Sequence, residues 1–195
     1  MSDNSTRTLI LASSSPRRKA LLEQLGIRCE VRPVDIDESV REGETPRGYV
    51  ERLALEKARA ARTDDGAVVL GADTAVVVDD DILGKPRDFA HAREMLKRLA
   101  DREHEVLTAV AVVAGAHEEV VTTTSRVVFG PLADETIEAY WATGEPADKA
   151  GAYAVQGIAG AFVRELHGSV TGVIGLPLYE TVELLHRFGI HALSR

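Results

Sequence analysis

The stretch Ala67–Val78 constrains this chain more than any other. It is a long β-rich apolar run with Gly71 and Asp73 inside it. A run of that composition predicts a long strand in the body of a sheet. Asp73 disagrees with that setting, because a buried carboxylate without a partner is costly. A metal, a lysine or a proton could each compensate, and so could backbone N–H groups around a purely structural aspartate. Gly71, two residues earlier, permits a bulge or the close approach of another backbone.

The rest of the chain supplies elements to pack on that strand. Leu9–Ala12 reads as a short buried strand, and Ser15-Pro16 opens a helix with Ser as N-cap and Pro at the first position. Leu21, Leu22 and Leu25 form its apolar stripe and Gly26 stops it. Cys29–Val34 reads as a strand leading into an acidic loop, Asp35 to Glu38. Thr45-Pro46 starts a second helix that runs to about Ala61. Asp79-Asp80-Asp81 is a turn, and Ile82-Leu83 a short return strand. Asp88 caps a helix with Ala92, Met95, Leu96 and Leu99 on one face. Glu105–Val113 and Glu119–Phe129 read as long strands joined at Gly115. A helix follows from Asp134 through Trp141, stopped by Gly144. Ala152–Gln156 and Ala161–Leu166 read as strands, and Pro177 opens a last helix, Leu178 to Phe188. Hairpin signals mixed with helices predict an α/β fold with a mixed sheet and not a strictly alternating parallel one. No Pro/Ser-rich linker divides the chain, so residues 1–195 read as one domain, with residues 1–8 as a flexible N-terminus.

Four further places break local rules, and three of them leave two readings open. Ser13-Ser14-Ser15-Pro16-Arg17-Arg18-Lys19 puts three cations in a helix's first turn, where the dipole disfavours them. Either the turn is a solvated basic one balanced by acids such as Glu23, or an anion sits there, held by N–H groups, serine hydroxyls and guanidinium groups. Lys57 shares the apolar face of Val50, Leu53, Ala54, Ala58 and Ala61, so it either snorkels or points into a cleft. Gly84-Lys85-Pro86 ends an element. It is not a P-loop: Asp79 stands where the first Gly is needed and Pro86 where Ser or Thr is. Gln156 lies in the glycine-flanked segment Asp148–Gly157, and its amide is either solvated or reads a base edge.

Composition narrows the function classes. The 195 residues carry 23 Lys plus Arg against 31 Asp plus Glu, a net charge of −8, which argues against long nucleic acid as a partner. A small anionic ligand is not excluded, since a pocket can differ in sign from the whole surface. The one cysteine, Cys29, allows no internal disulfide and no Cys-rich zinc site, so a reducing cytoplasm is the simplest home. His104-Glu105 and His117-Glu118 lack the second histidine of a metalloprotease helix. Ala67–Val78 and Val106–Ala116 are shorter than the ~20 residues of a membrane span. The apolar run near the N-terminus is too short for a signal peptide, which makes Asn4-Ser5-Thr6 a chance match to a glycosylation acceptor.

Six segments in order resemble the Maf proteins, a family of septum-formation-inhibitor-like nucleotide pyrophosphatases. They are Leu11-Ala12-Ser13-Ser14-Ser15-Pro16-Arg17-Arg18, Glu51-Arg52-Leu53-Ala54-Leu55-Glu56-Lys57-Ala58 and Gly71-Ala72-Asp73-Thr74. Gly84-Lys85-Pro86, Asp148-Lys149-Ala150-Gly151-Ala152-Tyr153 and Gly175-Leu176-Pro177-Leu178 complete the set. Each alone is weak; together they span Leu9 to Leu185. The resemblance implies an inosine triphosphate pyrophosphatase-like α/β architecture: a long mixed β-sheet flanked by helices, in two lobes with a central cleft. It also implies metal-assisted hydrolysis of nucleoside triphosphates to monophosphate and pyrophosphate, with Mg²⁺ or Mn²⁺ as cofactor. Pro16-Arg17-Arg18, Ala72-Asp73-Thr74 and Val155-Gln156-Gly157 follow the dTTP/UTP branch of the family, which makes Arg17, Thr74 and Gln156 its specificity positions. The alignment is loosest around Glu38. The resemblance also allows a homodimer, modified pyrimidine nucleotides as substrates, and a house-cleaning or division-arrest role.

Residue chemistry and resemblance together assign roles as expectations. Asp73, Lys85 and Glu38 are the catalytic candidates, and Asp73 and Glu38 the metal ligands. Ser13, Ser15, Arg17, Arg18, Lys57, Thr74 and Gln156 are the substrate-binding candidates. Two rivals remain: a nucleotide-binding regulator of division without turnover, and a phosphomonoesterase with an aspartyl nucleophile. The second usually wants two aspartates two apart, and Gly71 and Ala75 occupy those neighbouring positions.

Overall fold

A computed structural model describes residues 8–63 and 66–193 of the chain. The N-terminal stretch before Thr8, with its Asn4-Ser5-Thr6 triplet, lies outside the described residues. In chain order the elements are β1 (Leu9–Leu11), α1 (Pro16–Gln24), β2 (Cys29–Val31), α2 (Pro46–Ala60), β3 (Val68–Val78) and β4 (Asp81–Leu83). Then come α3 (Phe89–Leu99), β5 (Glu103–Ala114), β6 (His117–Phe129) and α4 (Asp134–Ala142). Three short 3₁₀ turns at Glu145–Asp148, Ala150–Ala152 and Ile158–Phe162 lead to β7 (Val163–His167), α5 (Val170–Ile174) and α6 (Leu178–Arg187).

The strands form one mixed seven-stranded sheet in the order β2-β1-β3-β5-β6-β7, with β4 paired to β3 outside that path. β1 runs parallel to β2 and β3; the remaining pairs are antiparallel. The parallel pairs need long crossovers, and α1 and α2 supply them.

β3 organises the core, and its alternation sorts the helices. Val68, Leu70 and Ala72 pack with Leu9 and Leu11 against Leu21 and Leu22 of α1 and Leu184 and Leu185 of α6. Further along the same face, Val76 and Val78 meet Met95, Leu96 and Leu99 of α3 and Ile137 and Tyr140 of α4. The opposite face carries Val69, Ala75 and Val77 against Val50, Ala54 and Ala58 of α2. Gly71 lies on that α2 face, and a Cβ there would come within 2.7 Å of Ala58 N and closer still to the Ala54 carbonyl. Only glycine lets α2 settle onto β3 this closely.

Among the described residues, side chains cap three of the six α-helices, α2, α3 and α5, while Ala133 and Pro177 before α4 and α6 offer no capping group and Ser15 before α1 leaves its own unused. Thr45 accepts from Gly48 N and Asp88 from His91 N, as Ser/Thr/Asp caps do. Ser15, expected to cap α1, makes no side-chain capping hydrogen bond; its own N–H instead donates to Ser13 Oγ at 3.2 Å. Ala152–Gln156 is not the expected strand. Gly151 and Ala152 have φ of 66° and 59°, which turns the chain, and Ala152, Tyr153 and Ala154 are all buried instead of alternating. The expected strand Ala161–Leu166 begins only at Val163, because Ala161 and Phe162 close a 3₁₀ turn. The strand after α1 ends at Val31 instead of Val34, and α5, capped by Ser169 on Gly172 N, was not anticipated. Among the described residues no helix is long and apolar enough to cross a membrane.

One buried polar group makes the fold pH-sensitive. His104 on β5 is 3% exposed. Its Nε2 is bonded to Tyr153 Oη at 2.8 Å, its Nδ1 has no partner, and its ring meets the Phe129 ring edge-on at 5.0 Å. Burial, with Arg102 nearby, pushes the imidazole down from 6.5 to about 4. The unfolded chain therefore binds a proton between pH 6.5 and 4 that the folded chain does not. The contribution of His104 to stability is complete well above pH 6.5 and falls as pH drops through that window. We expect denaturant unfolding to show a loss of about 2 kcal/mol between pH 7.5 and pH 5, and His104→Gln to flatten that slope. An equal slope in the variant would contradict the assignment.

Candidate functional site

The site arises where β3 lacks a neighbour. On one edge β3 pairs β5 from Val69 to Val77. On the other it pairs β1 only over Val68–Leu70 and β4 only over Val76–Val78. Residues 71–75 thus have no strand on that side, and the chain leaving β1 and the chain leaving β4 both arrive at this gap. Ser13 to Arg18 come from one end, Gly84 and Lys85 from the other, and Lys57 of α2 and the segment 148–156 close the walls. The enclosed cleft has a volume of about 440 Å³, within the range of small-molecule sites.

Asp73 and Lys57 meet at its floor. Lys57 Nζ lies 2.7 Å from Asp73 Oδ1 and 2.7 Å from Glu38 Oε1. Of the compensations open to a buried Asp73, the structure shows a lysine. The Asp73 and Lys57 side chains are each 11% exposed, against 51% for Glu38. Burial pushes the Asp73 carboxyl up, against the downward pull of Lys57 and Arg18. Lys57 reaches this point because it lies one helical turn after Leu53 on the face that packs on β3.

Glu38 belongs to an irregular loop that α2 ties down. Tyr49 Oη donates to the Glu38 carbonyl at 3.0 Å, and Arg52 donates to the Ser39 carbonyl while pairing with Glu44. Burial, with Asp73 and Glu38 nearby, pushes the Tyr49 phenol up to about 12, so it remains a donor.

Arg18 links the strand to the turn before α6. It donates to the Gly175 carbonyl (2.8 Å), Ser13 Oγ (3.2 Å) and Thr74 Oγ1 (3.2 Å). Thr74 Oγ1 also lies 3.0 Å from Thr108 Oγ1, which donates to the Gly172 carbonyl. Burial lowers the Arg18 guanidinium, and Asp73 raises it in return. Ser13 Oγ accepts twice, from Ser15 N and Arg18, which leaves its own proton to donate into the cleft. The first-turn N–H groups of α1 are not taken up by Ser15, so this helix end can receive an anion.

All ten sequence-derived candidates line the same cleft: Ser13, Ser15, Arg17, Arg18, Glu38, Lys57, Asp73, Thr74, Lys85 and Gln156. Gln156 and Lys85 are exposed on its walls. Sequence reasoning missed Lys149 and Tyr153, which also line it. Lys149 is paired with Asp148 and its side chain is 14% exposed. Lys149 and Tyr153 both belong to the segment Asp148–Tyr153 of the family resemblance, but only the fold brings them to the cleft. The Gly84 carbonyl accepts from Gly151 N at 3.0 Å, which joins this segment to the Gly-Lys-Pro turn. Among the described residues no group of three or more His, Cys, Asp or Glu is placed to hold a metal ion. The carboxylates that line the cleft are Asp73, Glu38 and Asp148.

The chain is similar to known proteins over most of its length. A dTTP/UTP pyrophosphatase of Hahella chejuensis is 55% identical over 188 residues, covering 94% of each chain. One from Anaeromyxobacter dehalogenans is 55% identical over 186 residues, 93% of this chain and 94% of that one. One from Vibrio vulnificus is 50% identical over 182 residues, 92% of this chain and 98% of that one. Among solved structures, a HAM1 protein from Coxiella burnetii aligns with a TM-score of 0.46 and 18% identity over 63% of this chain and 73% of that one, too little to argue from. The model of the Maf-like protein family matches residues 8–188, nearly the whole described chain, and the chain belongs to that family.

Proposed function

We propose that this chain hydrolyses dTTP and UTP to the nucleoside monophosphate and pyrophosphate, with Mg²⁺ or Mn²⁺ as cofactor. The observation that carries the reading is the cleft at the β3 gap. It brings the Asp73–Lys57–Glu38 cluster together with Arg17, Arg18, Lys85 and an open helix N-terminus. Relatives named dTTP/UTP pyrophosphatase at 50–55% identity support the substrate class.

The donor chemistry fits a hard divalent cation. Lys57 Nζ already places positive charge between the two carboxylates, and a Mg²⁺-type ion takes one or two carboxylates plus phosphate oxygens. When bound, such an ion neutralises phosphate charge and polarises the bond to be broken. The chain's own residues do the rest. Asp73 orients the attacking water and takes its proton, and its burial-raised carboxyl suits that role. The water oxygen forms the new P–O bond, the α–β bridging bond breaks, and pyrophosphate carries away the released electron pair. Lys85, Lys57 and Arg18 offset the charge that builds on the phosphates. Arg17, Ser13, Ser15 and the α1 N-terminus hold a phosphate. Thr74 and Gln156 face the base.

Three outcomes are expected on a panel of common and modified triphosphates scored for pyrophosphate. Chelator abolishes turnover, and Mg²⁺ or Mn²⁺ restores it. Asp73→Asn lowers kcat by at least ~10²-fold, the low end for a proton-transfer group; near-normal turnover in that variant would remove Asp73 from the chemistry. Gln156→Glu shifts the ratio of UTP to CTP turnover, and an unchanged ratio would deny it a reading role. Tight binding of UTP without any product would instead favour the regulator.

A further inference from the structure

The Gln156 wall of the cleft is held from behind by two residues outside the cleft lining. Tyr140, buried on α4, donates its hydroxyl to Glu145 Oε1 at 2.8 Å. The same hydroxyl accepts from Ala154 N at 3.2 Å. The Glu145 carboxylate then accepts from Ile158 N at 3.0 Å through Oε2 and from Ala159 N at 3.4 Å through Oε1. Two oxygen groups therefore clasp the backbone on both sides of Gln156. Gly157, the next residue, leaves room for the clasp: a Cβ there would strike the Glu145 carboxyl. A third tie, Tyr153 Oη to His104 Nε2 at 2.8 Å, secures the near end of the segment to β5.

We infer that Glu145, with Tyr140, is a positioning residue for nucleobase selection: the clasp holds the segment 154–159 so that the Gln156 amide is presented at a fixed place in the cleft. This rests on the proposed reading of Gln156 and extends it to residues that do not line the cleft. The segment needs such a device, since it is a bend of short 3₁₀ turns with no strand ladder of its own. Without the clasp, an exposed side chain on an irregular loop samples many positions, and hydrogen-bond discrimination between bases requires one. Burial alone would raise the Glu145 carboxyl, but Ile158 N–H, the Tyr140 hydroxyl and Ala159 N–H bring it below its ordinary value. The clasp is thus a charged acceptor, which makes its hydrogen bonds stronger than neutral ones.

The test compares Glu145→Ala, Tyr140→Phe and Gln156→Ala with the unmodified chain, measuring kcat and KM for UTP, dTTP, CTP and ATP beside the melting temperature. Tyr140→Phe keeps the ring in the core and removes only the hydroxyl, so it serves where Glu145→Ala folds poorly. For Glu145→Ala we expect the UTP to CTP ratio of kcat/KM to fall ~10-fold, mainly through KM, with kcat within ~3-fold of normal. Tyr140→Phe is expected to move the ratio the same way by ~3-fold. Equal losses on all four nucleotides, or an unmoved ratio in both clasp variants while Gln156→Ala moves it, would overturn the inference and leave the reading of Gln156 standing. An unmoved ratio in Gln156→Ala would remove that reading and the inference with it. No pyrophosphate from any nucleotide with the unmodified chain would reject the proposed function itself.

Discussion

The structure turns on a buried ion pair, Asp73 with Lys57, set where β3 has no strand beside it. Taken as a stabilising device the pair is a poor one. Desolvating two charges costs about what their attraction returns, and apolar residues of similar size often do as well or better. Removing either partner alone, by contrast, costs about 3–5 kcal/mol. The surroundings are nevertheless built to keep it. Gly71 lets α2 lie close enough for Lys57 to reach the strand. Tyr49 and Arg52, also on α2, fasten the loop that brings Glu38 to the same ammonium. An arrangement that gains little stability and recruits three further residues is best explained by chemistry in the cleft.

The gap also resolves an apparent conflict in charge. A chain of net charge −8 is a poor partner for long nucleic acid. Yet Arg17, Arg18, Lys57, Lys85 and Lys149 all line one cleft, against Asp73, Glu38 and Asp148. These cations reach it from separate elements: the start of α1, α2, the turn after β4 and the turns after α4. Field lines concentrate in such a cleft, so local placement outweighs the total. The same reasoning sets apart the surface ion pairs. Arg59 with Glu118, or Arg102 with Asp79, lie on exposed ground, where solvent screening leaves a pair worth little.

Much of this was legible from residue order because it depends on local rules. Pro46 after Thr45 marks a helix start through a fixed φ and a side-chain acceptor. The apolar length of Val68–Val78 marks a strand, and Lys57 stood out because its spacing put it on the apolar face. What escaped depends on register or on tertiary partners. The β3 gap exists only because β1 and β4 are each three residues long and pair with opposite ends of β3. The segment after Lys149 is rich in small apolar residues and reads as a strand, but positive φ at Gly151 and Ala152 bends it, and its hydrogen bonds go to Tyr140 and Glu145 instead of a ladder. Ser15 looked like a cap by type, yet it lies beside Ser13, whose hydroxyl takes its N–H. Glu145 offered no signal, since one acid in a turn is unremarkable until two backbone N–H groups are found pointing at it.

The most direct measurement is the identity of the first products when UTP and dTTP are turned over with Mg²⁺. The proposed mechanism, with the phosphates held by the α1 N-terminus, Arg17, Arg18 and Lys85 and with Asp73 at the water, predicts the monophosphate and pyrophosphate in equal amounts and no diphosphate at any time. Orthophosphate with UDP or dTDP as first products, or release of orthophosphate from UMP, would contradict the account.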